Sequence, residues 1–395
     1  MHSDVRLVVL NALMCAAFLT TPACSSNTGG PIATPGELRV ETVVSGLDTP
    51  WDMVWGPDGH IWVSERRGRI SRVNPTTGQR TTAGQIPAVA QSGESGLMGI
   101  ALHPDFTSQP YVYAAHSYSS GGGLRNRLVR VRWDGQTLGA HEVLLANIPG
   151  AGIHDGSRLA VGPDRLLYMT TGDAASADLA QDRTSLAGKV LRLTLTGQSA
   201  PGNPFNTPIY SFGHRNPQGL VFHPTSGALY ATEHGPGDND EVNTIIAGRN
   251  YGWPTIHGFC DNDTGNERTF CQANNVVEPL AAWTPTIAPT GADIYVADLI
   301  PGWKGSLLFT SLRGAALYRL VLAPDGLSVT SRETLFQGRF GRLRDVLVAP
   351  DGAVYLATSN RDGRGNPSSD DDRILRIRPY STGAVIGSRH LNARR

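Results

Sequence analysis

The two ends of one short segment carry side chains that could move a proton. His154 begins the segment "HDGSRLAVGPDRLLYMTTGD" and Asp173 ends it, with two apolar runs and a Gly-Pro-Asp turn between them. The runs are typical of a β-hairpin, whose two outer ends return to the same side of a sheet. A carboxylate bonded to one ring nitrogen of an imidazole fixes its tautomer and makes the other nitrogen more basic. The pair is therefore either a general base with its orienting group or a structural pair at a hairpin mouth.

Guanidinium groups occur at the mouths of other loops. Arg215 and Asn216 stand in "GHRNPQGL", Arg313 in "SLRGA", and Arg342 and Arg344 in "GRLRDV". Residues at i and i+2 of a strand point to one side, and guanidinium groups bind carboxylates bidentately and stack on flat rings. These arginines are either ordinary surface charge or the lining of a channel for a planar polyanion.

A Gly-Pro-Gly turn followed by acidic residues, "GPGDNDE" at 235–241, offers oxygen ligands. Exposed main-chain carbonyls with carboxylates nearby suit a hard cation such as calcium. The same composition is also typical of an ordinary solvated loop, so the turn alone does not decide between the two interpretations.

A repeat supplies the elements that must position these residues. An apolar strand, a turn that is often Pro-Asp-Gly, and a second apolar strand recur in units that start near Trp51, Leu97, Ser157, Gln218, Gly291 and Leu343. Many units close with a further strand such as "LVRVRW" or "ILRIRP". The pattern predicts an all-β six-bladed β-propeller over 37–380, with four-stranded antiparallel blades around a central channel. Separate sandwiches are the alternative.

Two consequences follow from a propeller. The early strand at 37–44 is expected to complete the last blade and close the ring. Loops at one rim of a propeller converge on its channel, so residues distant in sequence can meet there.

Composition agrees with this architecture and restricts the partners. Glycine (46 of 395 residues) and proline (26) are abundant, as expected for many short strands joined by tight turns. Lys+Arg and Asp+Glu balance at 34 each, so charge gives no reason to expect nucleic acid as a partner. No Gly-x-Gly-x-x-Gly segment follows a strand, which makes NAD a poor candidate.

The N-terminus predicts export. Arg6 precedes an apolar run that ends at Cys24, and a segment rich in Ser, Gly and Pro follows. We therefore expect a signal peptide at 1–23, a flexible tether at 24–36 and, after the propeller, a C-terminal tail at 381–395. "TPAC" at 21–24 resembles a bacterial lipoprotein box, so the alternatives are lipidation of Cys24 and plain cleavage nearby. The protein is expected in the periplasm, free or anchored to the membrane as a lipoprotein.

Two cysteines remain for the mature chain. Cys260 and Cys271 flank a polar loop, and in an oxidising compartment they are expected to form a local disulfide. A zinc site is disfavoured, because two cysteines without companions cannot complete a tetrahedral site.

Several long, ordered segments resemble the soluble aldose sugar dehydrogenases that depend on pyrroloquinoline quinone (PQQ), within the glucose/sorbosone dehydrogenase family. They include "GLMGIALHPDF", "LAGKVLRL", "GHRNPQGL", "DNDEVNTIIAGRNYGWP" and "RLRDVLVAPDG", and the resemblance runs from about Val40 to Pro379. It implies a six-bladed propeller that holds PQQ over calcium. It also implies oxidation of the C1 hydroxyl of an aldose to a lactone, with electrons passed to a periplasmic acceptor that the sequence does not identify.

The resemblance carries roles to positions of this chain. His154 resembles the general base, Asp173 its orienting carboxylate, and Arg215 the residue over the reactive quinone carbonyl. The implied cofactor-binding set is Glu94, His154, Arg215, Asn216, Arg313, Arg342 and Arg344. The implied calcium ligands are Gly235 and Pro236 at one site and Glu241 and Tyr251 at a second.

Three departures from the family pattern stand out. Glu94 occupies a position where close relatives carry Gln, which would set a carboxylate near an anionic ligand. Arg313 stands where Lys is common. The segment "HGFCDNDTGNERTFCQANN" at 257–275 fits the family poorly, so the resemblance assigns no sugar-contacting residue in that loop and leaves such contacts open.

The residue types suit hydride chemistry. A base must take the proton of the C1 hydroxyl as C1–H leaves as hydride, and His154 oriented by Asp173 suits this near neutral pH. Two other classes stay open. A non-catalytic binding propeller is compatible with Glu94, and a calcium-dependent propeller lactonase or other hydrolase would need Asn, Asp and Glu around one central metal, where this rim favours Arg.

Overall fold

The structure is a computed structural model that describes residues 38–263 and 265–380. Within these residues, 24 strands form six four-stranded sheets in which all pairings between strands are antiparallel. The predicted fold class, a six-bladed propeller, is confirmed. The predicted signal peptide, tether, lipidated Cys24 and C-terminal tail lie outside the described residues. No helix in the described ranges is both long enough and apolar enough to cross a membrane.

Each blade is a meander of four consecutive strands, apart from the last. Blade one contains β2 (Pro50–Trp55), β3 (Ile61–Glu65), β4 (Arg69–Val73) and β5 (Arg80–Gln85). Blade two contains β6 (Leu97–Leu102), β7 (Tyr111–Ser120), β8 (Gly123–Trp133) and β9 (Leu138–Pro149). Blade three contains β10 (Leu159–Val161), β11 (Leu167–Thr171), β12 (Lys189–Leu193) and β13 (Ile209–Phe212).

The other three blades follow the same plan. Blade four contains β14 (Pro217–Phe222), β15 (Leu229–Glu233), β16 (Asp240–Ile245) and β17 (Ala281–Trp283). Blade five contains β18 (Pro289–Tyr295), β19 (Ser306–Ser311), β20 (Leu317–Leu322) and β21 (Val329–Leu335). Blade six contains β22 (Leu343–Val348), β23 (Val354–Thr358), β24 (Ile374–Pro379) and β1 (Leu38–Val44). A 3₁₀ helix (Ala177–Ala180) lies between β11 and β12, and α1 (Glu267–Asn274) between β16 and β17.

The ring closes through its first strand. β1 pairs with β24 in an antiparallel register that sets Leu38 opposite Pro379 and Val40 opposite Ile377. The prediction that the early strand completes the last blade is therefore confirmed.

The core is divided among the interfaces between neighbouring blades. Each of six apolar clusters draws its side chains from two adjacent blades. Between blades one and two, the ring of Trp62 meets Phe106 at 5.5 Å and Trp133 at 5.1 Å, both edge to face. Such contacts bury large aromatic surfaces in favourable geometry.

Strand direction decides which loops meet. The first strand of every blade contacts the first strands of its neighbours, so these six strands line the channel. Because successive strands are antiparallel, the start of a blade's first strand and the end of its second lie at the same rim. His154 precedes β10, Asp173 follows β11, Arg215 precedes β14 and Arg342 precedes β22. The fold thus gathers these residues at one rim of the channel.

Candidate active site at one rim of the channel

His154 and Asp173 meet as the hairpin predicted. Nδ1 of His154 lies 2.8 Å from Oδ1 of Asp173, whose side chain is buried. His154 has a φ of 59°, a left-handed conformation that is rare for residues other than glycine. Where such residues do adopt it, they are often at functional sites. Two neighbours hold it there: the Ala174 amide donates to the His154 carbonyl at 3.1 Å, and Gly172 leaves room, since a Cβ on it would lie 1.9 Å from that carbonyl oxygen.

The Asp173 carboxylate is held by two further donors. The Ala175 amide donates to Oδ1 at 2.8 Å, and Nε1 of Trp253 donates to Oδ2 at 2.9 Å. Among the described residues, Nε2 of His154 makes no hydrogen bond, so it stays available for a substrate proton. Sequence reasoning missed Trp253, although it lies in the "NYGWP" that carried the resemblance.

Arg215 and Asn216 adjoin this pair with donors to spare. The Arg215 carbonyl accepts from the Asp173 amide at 2.8 Å, and its guanidinium lies 5.2 Å from the centre of the Trp253 ring. Burial lowers the pKa of Arg215. Nε of Arg215 and Nδ2 of Asn216 are buried and have no hydrogen-bond partner within the described residues. Unpaired buried donors of this kind suit a ligand rich in oxygen acceptors.

A cavity of about 240 Å³ at the same rim is lined by Arg66, Glu94, Arg342, Arg344, Asp362 and Arg364, among others. Arg344 is buried, donates to Oε1 of Gln218 at 2.5 Å, and leaves its Nε without a partner in the described chain. Burial lowers the pKa of Arg344 to about 9. An anionic ligand would offset the cost of this buried charge.

The other predicted cations of the rim differ from Arg344. Arg342 lines the cavity but is already paired, since its Nε donates to Oδ2 of Asp362 at 2.8 Å and its Nη2 lies 2.7 Å from the same oxygen. Arg313 is exposed and does not line this cavity. Within the described residues its side chain makes no hydrogen bond or ion pair; only its amide bonds, to the Ile287 carbonyl at 3.0 Å.

Glu94 lines the cavity and pairs with a cation from another loop. Its Oε1 lies 2.5 Å from Nη1 of Arg364, so the two side chains join loops that are 270 residues apart in sequence. Burial acts to raise the pKa of Glu94, but His234, Arg364 and Arg344 outweigh it and lower the pKa below its ordinary value. The carboxylate that departs from the family pattern therefore has a cation of its own within reach.

The predicted metal ligands line a second, smaller cavity together with Arg215 and Trp253. The Gly235 amide donates to Oδ1 of Asp240 at 2.8 Å, which fixes the Gly-Pro turn. Oδ1 of Asp238 and Oδ1 of Asn243 are buried without partners in the described ranges. Carboxylate, amide and main-chain oxygens are the ligands that a hard cation such as calcium takes.

The polar atoms of the two residues of the second predicted calcium site differ in their surroundings. Glu241 accepts from the Gly258 amide at 2.9 Å and from Nδ2 of Asn243 at 2.8 Å. Burial, and next the nearby Glu233 carboxylate, raise the pKa of Glu241 to about 8, a penalty that a bound cation would relieve. The Tyr251 hydroxyl already has a structural hydrogen bond, since it donates to the Thr244 carbonyl at 2.6 Å.

The segment that departs from the family pattern reaches this site. The ring of His257 stacks on Trp253 with centres 5.2 Å apart, and both line the smaller cavity with Arg215. Cys260 and Cys271 form the predicted disulfide, which encloses the start of α1. Sequence reasoning missed His257, whose only signal was its nearness to the "YGWP" segment.

The fold and the site define a class of protein: a β-propeller that presents an oriented imidazole beside arginine-lined and oxygen-lined cavities. The sequence model of the glucose/sorbosone dehydrogenase family matches residues 47–375. The chain belongs to that family. The resemblance found in the sequence and the predicted oxidoreductase activity are both confirmed.

Known proteins agree with this assignment. The chain is 32% identical to quinoprotein glucose dehydrogenase B of Acinetobacter calcoaceticus over 94% of each chain. It is 30% identical to the aldose sugar dehydrogenase YliI of Escherichia coli, over 84% of this chain and 92% of the relative. The solved structure of the PQQ-bound aldose sugar dehydrogenase of Streptomyces coelicolor superposes with a TM-score of 0.76 at 40% identity, covering 88% of this chain and 99% of that one.

Proposed function

We propose that this protein is a PQQ-dependent, calcium-binding dehydrogenase that oxidises the C1 hydroxyl of aldose sugars to lactones. The observation that carries the proposal is the contact between His154 and Asp173 beside a cavity lined by Arg66 and Arg344, two buried guanidinium groups with no carboxylate partner in the described residues. The PQQ-bound relative supports the choice of cofactor.

The residues have separate roles in this proposal. His154 takes the proton of the sugar hydroxyl at Nε2, while Asp173 fixes the tautomer through Nδ1. Arg215, whose Nε is buried without a partner in the described residues, would stabilise the negative charge that the hydride acceptor gains. PQQ, when bound, accepts the hydride, and the protein positions it.

Holding the cofactor falls to a different set of residues. Arg344 and Asn216 have buried donors to offer to PQQ, whereas Arg342 already pairs with Asp362. The main-chain oxygens of Gly235 and Pro236, with Glu241 nearby, would hold calcium.

Location is part of the same proposal. Residues 1–23 act as a signal peptide, and a periplasmic carrier receives the electrons. Comparing membrane and soluble fractions of wild type and Cys24→Ser distinguishes a lipid anchor from plain cleavage.

The deciding experiment is a spectrum of the purified apoprotein after addition of PQQ and calcium. We expect the absorbance of the bound oxidised quinone, and its bleaching when glucose or another aldose is added. PQQ bound tightly but not bleached by a panel of aldoses would indicate a binding propeller. Failure to bind PQQ, together with calcium-dependent lactone hydrolysis, would indicate the hydrolase.

A further inference from the structure

Arg66 is a buried cation that neither the sequence patterns nor the resemblance assigned. It follows β3 directly, at the rim that carries His154, and its exposure is only 4%. Its Nη2 donates to the Asp362 carbonyl at 3.2 Å, while its Nε is buried and has no partner in the described residues. No carboxylate of residues 38–263 or 265–380 lies within ion-pair distance of it. A guanidinium removed from water with a single neutral acceptor is costly unless a ligand completes it.

The main chain holds Arg66 in place from two sides. Its amide donates to the Thr49 carbonyl at 3.1 Å, and its carbonyl accepts from the Leu97 amide at 2.8 Å. Gly96 passes over it so closely that a Cβ there would lie 2.7 Å from Cγ of Arg66. The side chain is therefore positioned before any ligand arrives, which reduces the entropy lost on binding.

The cavity beside Arg66 separates its guanidinium groups into two kinds. Arg342 is paired with Asp362, and Arg364 with Glu94. Arg66 and Arg344 line the same cavity of about 240 Å³, and the acceptors bonded to them are neutral: the Asp362 carbonyl and the Gln218 amide oxygen. The positive charge that is not neutralised within the described chain is thus concentrated on these two side chains.

We propose that Arg66 is a cofactor-binding residue which, together with Arg344, grips a carboxylate of the planar polyanionic quinone. The proposal rests on the proposed function for the identity of the ligand. It also changes the role of Arg342, whose bond to Asp362 makes it a positioning residue for the loop that carries Asp362. The alternative is that Arg66 only fixes the loop of Asp362 through its bond to the Asp362 carbonyl. A neutral donor would be enough for that bond, so this alternative does not explain why a charged side chain is buried there.

The test measures the affinity of the calcium-loaded full-length protein for PQQ by absorbance or fluorescence titration. Arg66→Met should weaken binding by roughly 10- to 100-fold, as expected for loss of one charge-assisted hydrogen-bonded contact. The matched control is Arg67→Met, which removes the same charge at the neighbouring position, where the side chain is 73% exposed. Its affinity should stay within about twofold of wild type, because an exposed charge contributes little.

The outcomes separate this inference from the proposed function. If wild type does not bind PQQ, the proposed function is wrong; if wild type and Arg66→Met bind it equally, only the role of Arg66 is wrong. Melting curves without PQQ show whether Arg66→Met folds. If it does not, Arg66→Lys replaces it. Arg66→Lys keeps the positive charge but loses the planar set of guanidinium donors, so it should bind PQQ at least threefold more weakly than wild type. An affinity for PQQ equal to that of wild type would overturn the inference.

Discussion

At the scale of single residues, the chemistry depends on one imidazole whose surroundings are fixed by others. We predict that His154→Ala lowers aldose turnover by roughly a hundred- to ten-thousand-fold, the contribution of a positioned acid–base group. PQQ binding and melting temperature should change little, since the side chain is only partly buried at a loop mouth. Dye-linked turnover at saturating PQQ measures the effect, beside a titration of the cofactor.

The control for this prediction is His60→Ala, because His60 lies in the turn between β2 and β3 at the opposite rim. It should leave turnover unchanged. Near-normal turnover in His154→Ala would instead show that His154 and Asp173 form a structural pair.

Trp253 is the residue whose role the structure adds to this pair. Trp253→Phe keeps a ring in place but removes the 2.9 Å bond to Asp173. We expect kcat to fall about tenfold with KM nearly unchanged, because the bond positions the base rather than the sugar. Trp55→Phe, in the first strand of blade one at its other end, is the matched control. A rise in KM with unchanged kcat would mean that the indole contacts the substrate.

Some of these contacts could be predicted from the sequence and others could not. The meeting of His154 and Asp173 follows from hairpin geometry, which is local. The pairing of Arg342 with Asp362, or of Glu94 with Arg364, depends on side-chain directions in loops from different elements. The pattern "GRLRDV" therefore identified the right rim but could not show which guanidinium groups were already neutralised.

At the scale of elements, blade two contains a titratable group that ties its stability to pH. His116 on β7 is fully buried; Nε2 accepts from Nε of Arg127 at 2.9 Å, and Nδ1 lies 3.0 Å from the Ser117 carbonyl. Burial lowers the pKa of His116 to about 4. Between about pH 6.5 and 4, His116 is protonated in the unfolded chain but neutral in the folded chain. The free energy of unfolding therefore falls as the pH is lowered through that range.

We predict that His116→Gln flattens this dependence, because the amide oxygen can accept from Arg127 but does not titrate. Over the interval the difference in unfolding free energy between wild type and the variant should change by at most about 3 kcal/mol. Urea denaturation at several pH values measures it. His223→Gln, on a turn of blade four, should keep the wild-type slope; a His116→Gln slope equal to wild type would contradict the prediction.

Elements also show where pattern reasoning fails. The turn residues and alternating apolar runs predicted the blades because hairpins are specified locally. The segment at 257–275 departs from that repeat, and its polar composition predicted only a loop. In the structure it contains α1 and sets His257 against Trp253, a packing decided by tertiary contacts rather than by composition.

At the scale of the whole molecule, the apolar clusters of the described residues lie between neighbouring blades of the ring. The last blade is complete only when β1 joins it and closes the ring. Leu38 is 3% exposed and packs with Leu375 and Ile377 of β24 in the cluster shared by blades five and six. Without β1, β24 would present an unpaired edge. The first strand should therefore contribute to global stability well beyond its length.

We predict that Leu38→Ala lowers the free energy of unfolding by about 2–5 kcal/mol, the cost of a cavity in a packed core. The matched control is Arg39→Ala in the same strand, whose side chain is 64% exposed in an ion pair with Glu41. It should change stability by no more than about 0.5 kcal/mol. Denaturation followed by circular dichroism measures both variants. Equal, small effects of the two substitutions would show that the Leu38 side chain does not contribute to the core of blade six, and would contradict the prediction.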